Sequence, residues 1–139
     1  MREIEFRGKA LISIEELDEI GIKHKNGYVY GDLVDNSHIV TGILESNDEY
    51  ICIETWCGID SETIGQYTER EDIHNNKIFE KDIATCQFFD KKITGLIEFI
   101  EYMWAVNDRK NRRLYQLNEV SNIEIVGNIH ENPDLLEAK

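Results

Sequence analysis

The residues of this chain able to do chemistry are its cysteines, histidines, serines, aspartates and one run of arginines. Their spacing decides how far each can go. Cys52 and Cys57 stand five apart with Glu54 and Trp56 between them, and His24, His38, His74 and His130 are scattered. Structural zinc calls for tighter paired spacings and a second pair, so no metal site is expected. The three thiols, Cys86 included, read instead as small buried hydrophobes. Nucleophilic catalysis lacks support as well. No Gly-x-Ser-x-Gly elbow is present, and Ser13, Ser61 and Cys57 have no neighbouring signal for a base. Carboxylate pairs abound in so acidic a chain, so finding two together carries almost no information. Asp32 and Asp82 each read as turn residues beside a strand, where Asp commonly accepts backbone N–H groups. The glycines never gather into a loop ahead of a helix, so no phosphate cradle is expected. The expectation is a protein that is not an enzyme, with no catalytic residues and no cofactor.

One basic run stands out: Arg109, Lys110, Arg112 and Arg113, which Lys91 and Lys92 join if the fold brings them near. Tyr102, Trp104 and Tyr115 lie nearby in sequence, and cations interleaved with exposed aromatics can hold nucleic acid. The opposing reading is a solvated hairpin turn whose neighbouring aromatics face a core. It carries more weight, because the rest of the chain is acidic. Asp and Glu total 28 against 15 Lys and Arg, for a net charge of −13. Up to Gly65 there are 14 acids and 5 bases, and beyond it 14 and 10, so the two parts carry about −9 and −4. Such a field repels polyphosphate at long range and disfavours non-specific nucleic-acid binding. It can favour a basic partner, although surplus acid is also an ordinary route to solubility. A dense acidic surface can also imitate DNA phosphates, but no spacing here builds a helical array of charge.

The elements that must position these residues follow from a hydrophobic period that is mostly two, the signature of strands. Arg2 to Lys9 alternates Ile4 and Phe6 with charged neighbours and predicts a half-exposed strand. Ser13 with Glu16 fits a capping box, Leu17 and Ile20 supply an apolar stripe, and Gly21 supplies a left-handed stop, predicting one short helix. Asn26-Gly27 predicts a turn into a strand through Tyr28, Val29 and Tyr30. Further strands are expected at His38 to Leu44 and Tyr50 to Trp56, around a polar turn at Glu45 to Glu49. Beyond Gly65 they are expected at Lys77 to Phe79, Asp82 to Phe88, and Ile93 to Val106 as one long bent strand or two. The polar run Asn107 to Arg113 makes a turn, Leu114 to Leu117 returns, and Ile123 to Ile129 closes. Asn132 as N-cap with Pro133 at the first helical position predicts a last helical turn, with Leu135 and Leu136 folding back.

The fold class is all-β, a small barrel or roll with two short helical pieces. Its parts are an N-terminal β region over 1–64 and a C-terminal roll over 65–139. A chain this long buries about two thirds of its unfolded surface, enough for a core without disulfides or metal. Three cysteines are too few for a disulfide scaffold, no secretory signal follows the start, and no run approaches a membrane span. The cytoplasm is the expected compartment, with no membrane partner.

Four stretches in order carry a resemblance to a known family. They are Met1 to Lys9; Asn26-Gly27-Tyr28-Val29-Tyr30-Gly31-Asp32-Leu33; Thr63-Ile64-Gly65-Gln66-Tyr67-Thr68 continuing to Lys77-Ile78-Phe79-Glu80-Lys81-Asp82-Ile83; and Glu124-Ile125-Val126-Gly127-Asn128 continuing to Leu136. Together they resemble the YopX-like family of phage and prophage proteins. The resemblance implies an all-β chain, SH3-like in its C-terminal part, with no established activity and no site residues to carry over. This sequence departs from the family pattern at Glu69-Arg70, where Gly-Leu is usual, and at Asn75-Asn76 and Lys81, where Gly is usual. Asn tolerates a left-handed backbone, whereas Lys81 costs on the order of 1 kcal/mol if its φ is positive. The function expected is a non-catalytic protein-interaction or regulatory module that self-associates or binds a host or phage protein. The alternative is a nucleic-acid-binding roll using Arg109 to Arg113.

Overall fold

The computed structural model describes residues 3–137, and it is mostly β. It divides into two compact units, Met1–Gln66 and Tyr67–Lys139.

In the first unit, β1 (Phe6–Ala10), β2 (Tyr28–Val34), β3 (His38–Ser46) and the first two thirds of β4 (Ile51–Glu71) pair in that order. β4 then returns to β1, closing a ring. The strand expected over Arg2 to Lys9 starts only at Phe6, with Ile4 exposed, and Arg2 lies outside the described residues. The helix α1 (Ile14–Ile20) forms as its sequence dictates. The Ser13 Oγ accepts from the Glu16 N–H at 3.1 Å, the Glu16 carboxylate reaches back, and Gly21 stops the helix at φ 85°. α1 plugs the ring with Leu17, which packs with Val29, Ile39, Cys57 and Ile59. The turn at Asn26-Gly27 is left-handed at both residues, as a tight hairpin requires. Asp32 sits within β2, exposed, rather than at a turn. Cys57 joins the core, but Cys52 is exposed, so burial holds for two of the three thiols.

Past Val40 and before Cys57, β3 and β4 pair only with each other among the described residues. Residues 41–55 thus form a two-stranded arm with a free edge on both sides. Ile43 and Ile53 pair directly across it and share a face, and both are exposed, as are Leu44, Tyr50 and Ile51.

In the second unit, the end of β4 pairs with β5 (Lys77–Phe79). An antiparallel sheet runs β10-β6-β7-β8-β9, made of β6 (Asp82–Phe88), β7 (Lys91–Ile100), β8 (Met103–Asp108), β9 (Arg113–Gln116) and β10 (Ser121–Asn128). The segment expected as one strand or two is two, turned at Glu101-Tyr102. Ile78, Cys86, Ile93, Ile97, Val106, Tyr115, Leu117 and Ile123 fill the core. Two 3-10 turns complete the unit. One at Leu117–Glu119 has no sequence forecast, and one is the expected turn at Pro133–Leu136. The Asn132 side chain does not cap that turn; it accepts from the Asn128 N–H at 3.2 Å instead. Among the described residues no helix is long and apolar enough to cross a membrane.

The family departures are explained by backbone geometry. Glu69, Asn75 and Lys81 all have positive φ, at 71°, 64° and 75°. The Lys81 backbone is pinned there, its N–H donating to the Ile97 carbonyl at 2.7 Å and its carbonyl accepting from Ile129 at 3.0 Å. Lys81→Gly relieves a left-handed penalty of about 1–2 kcal/mol and adds about 0.4–1 kcal/mol of unfolded-chain entropy. The variant should gain roughly 0.5–1 kcal/mol by the same reckoning, read as a higher urea midpoint with unchanged slope.

Candidate functional site

The basic run occupies the β8–β9 hairpin. Arg109, Lys110, Asn111 and Arg112 make the turn, all exposed, while Asn107 and Asp108 belong to β8 and Arg113 opens β9. Buried Asp108 builds it: its carboxylate accepts from the Asn111 N–H at 3.2 Å and the Asn111 Nδ2 at 2.8 Å. Arg112 takes the left-handed position, at φ 54°. Beneath lies Cys86, whose thiol burial, and then the nearby Asp108 charge, push up to about 11; it is inert packing.

Strand register decides what joins this turn. β6 and β7 end at the pair Phe88 and Lys91, and β8 and β9 at the pair Asp108 and Arg113. Because β7 and β8 are antiparallel, both turns lie at one end of the sheet. Lys91 and Lys92 therefore lie at the same end as the run, past the last β7–β8 pair at Leu96 and Asn107, and six cations share this end with Asp90 and the buried Asp108 among their own segments. The Arg113 guanidinium sits over the rings of Phe88 at 5.6 Å and Tyr115 at 5.0 Å.

Of the aromatics expected beside the cations, Tyr115 lies under Arg113 but inside the core, and Trp104 and Tyr102 lie away from the run. Tyr115 is a fully buried core residue whose hydroxyl has no hydrogen-bond partner among the described residues. Trp104 is half-buried edge-on against Phe99, with centroids 5.1 Å apart. Tyr102 is exposed, but at the β7–β8 turn, the opposite end of the sheet. In their place stands a residue the sequence reading passed over. Phe89 is 88% exposed in the two-residue β6–β7 turn, edge-on to Phe88 at 4.7 Å. Its φ is 55° while that of Asp90 is not positive, the pattern of a turn whose first position favours Gly.

The other candidates scatter. Asp82 is buried and accepts from the Phe79 N–H at 2.8 Å, a structural role. His24 pairs with Asp18 and His74 with Glu124, while His38 bonds its neighbour Ser37. Ser13 is the helix cap already described. Among the described residues no three His, Cys, Asp or Glu side chains gather as metal ligands.

An all-β chain with a closed β ring, an antiparallel sheet and a cationic aromatic tip is the class these features define. The model of one family, described as YopX protein, matches residues 22–137, and the chain belongs to that family. The stretches from Asn26 onward fall within the match, and the opening stretch to Lys9 falls before it. No curated protein matches the chain.

Proposed function

We propose that this YopX family member is a non-catalytic protein-interaction module of phage or prophage type, acting in the host cytoplasm, and that it self-associates through the β3–β4 arm. The arm carries the reading. A two-stranded ribbon is marginally stable alone, and this one exposes unpaired edges together with Ile43, Leu44, Tyr50, Ile51 and Ile53. A second copy suits it best. One edge pairing with itself about a two-fold axis satisfies both copies at once. Antiparallel pairing also sets each acidic tip, with Glu45, Asp48 and Glu49, away from its counterpart. The absence of any catalytic spacing in the sequence supports a binding role over an enzymatic one.

Sedimentation velocity across the micromolar range tests this. The wild-type chain should sediment as a dimer or larger, and Ile53→Glu should be monomeric with an unchanged circular dichroism spectrum. A wild-type monomer throughout, or an Ile53→Glu oligomer indistinguishable from wild type, would sink the self-association reading.

A further inference from the structure

We propose that the end of the second unit formed by the β6–β7 and β8–β9 turns binds single-stranded nucleic acid. Phe89 is the platform for an unpaired base, and Lys91, Lys92, Arg109, Lys110 and Arg112 are the phosphate contacts.

Three observations converge on it. The first is the residue at the turn. A two-residue hairpin with positive φ only at its first position wants Gly there, yet this chain places Phe, and leaves the ring 88% exposed. A ring so exposed adds little to the core, so neither turn geometry nor packing accounts for it. The second is what holds the ring. Phe88 meets Phe89 edge-on at 4.7 Å and Tyr115 at 4.9 Å, and Arg113 covers Phe88 and Tyr115, so the platform has a rigid backing. The third is charge. In a chain of net charge −13, Lys91, Lys92, Arg109, Lys110, Arg112 and Arg113 concentrate at this one end.

The same facts choose the ligand. An acidic peptide would use the cations but has no call on a bare aromatic face, whereas every unpaired base offers a π-face to stack. A duplex hides its bases and carries a denser charge, which the acidic remainder of the chain repels. The ligand is thus an unpaired strand read with little sequence preference. Binding is strongly salt-dependent, because the phosphates supply contacts that release counterions.

Fluorescence anisotropy of the full chain tests it with labelled oligo-dT, labelled oligo-U and a duplex of equal length at low salt. One or both single strands should bind, the preferred sugar naming the source, and the duplex should bind more weakly. Phe89→Gly is the decisive variant. It suits the turn, so thermal stability should hold or rise, while affinity falls at least about fivefold for the lost stacked base. Phe89→Trp should retain binding, and Arg112→Ala should reduce the salt slope by about 0.7, one single-strand phosphate contact. No binding of either strand at low salt would overturn the proposal. So would undiminished binding by Phe89→Gly, duplex binding as tight as single-strand, or displacement by polyglutamate more readily than by unlabelled oligo-dT; the last would identify an acidic peptide as the ligand.

Discussion

Asp72→Ala should destabilise the second unit by about 2–3 kcal/mol, because it takes one acceptor from three part-buried backbone donors at once rather than removing one contact. Asp72 is buried at the end of the β4–β5 hairpin, and its carboxylate accepts from the N–H groups of His74 at 2.9 Å, Asn76 at 2.9 Å and Ile125 at 3.1 Å. Two of these close the 72–76 loop, and the third fastens the loop to β10. A neighbouring bond from the Ile73 N–H to the Ile123 carbonyl at 2.9 Å repeats the attachment. Leaving a buried donor unpaired costs about 1–3 kcal/mol, and water recovers part of it where the loop opens. For a unit of this size the thermal midpoint should fall by roughly 10 °C or more. Amide exchange should accelerate first at Asn76 and Ile125.

The same carboxylate gives acid sensitivity a defined sign. Burial pushes the Asp72 carboxyl up, but the N–H donors of Asn76, Ile125 and His74 together hold it below its ordinary 3.8. A folded value below the unfolded one means the stabilisation is fully present above the unfolded value. It is then lost as pH drops through the folded value. The gap in urea midpoint between wild type and Asp72→Asn should therefore be constant near neutrality and narrow once pH falls below about 4. A gap that stays constant into acid would show that the charge on Asp72 contributes nothing.

Gly31→Ala should abolish the closed ring of the first unit. Gly31 lies in β2 opposite Phe6 at φ 153°, and a Cβ there would stand 1.9 Å from the Val40 carbonyl oxygen and 2.9 Å from its carbon. Backbone, not a flexible side-chain end, is what it meets, so β2 and β3 must separate at Asp32 and Val40, where they begin to pair. A loss above about 4 kcal/mol is expected, in the range reserved for large steric conflicts. Exchange mass spectrometry should show early exchange across 28–40. Native protection there would refute the close approach.

How far the sequence was readable varied with the range of the forces involved. Helix α1 was legible to the residue, because Ser13, Glu16 and Gly21 form a local code in which every partner lies within a turn. The strands from β5 to β10 were legible by period. The length of β4 was not: the expected strand stopped at Trp56 and the chain was divided after Gly65, whereas the strand runs on to Glu71. Asp72 was invisible as a keystone, since one of its donors, Ile125, is brought to it only by the tertiary fold. At the basic tip the run 109–113 was legible as a turn, and the register of β7 puts Lys91 and Lys92 at the same end of the sheet. The preferred reading of neighbouring aromatics that face a core holds for Tyr115 and Trp104, while Phe89 was not foreseen. Tyr115 and Trp104 alternate inward, whereas Phe89 follows the expected strand end at Phe88 and nothing local marks it as exposed. Only the turn it occupies turns it out. Asp32 was misread for a related reason: it stands beside Gly31, and glycine in this strand marks a close backbone approach instead of a turn.

The thiols give the molecule a chemical asymmetry. Cys57 and Cys86 are buried and burial pushes both above their ordinary value, Cys86 to about 11, leaving little thiolate to react. Cys52 alone is open to solvent, and it stands on the arm, paired with Glu45. The chain therefore carries one natural attachment point for a dye or spin label, placed on the surface where a second copy would dock and away from both cores. A probe there would sense the company the arm keeps without any residue being changed.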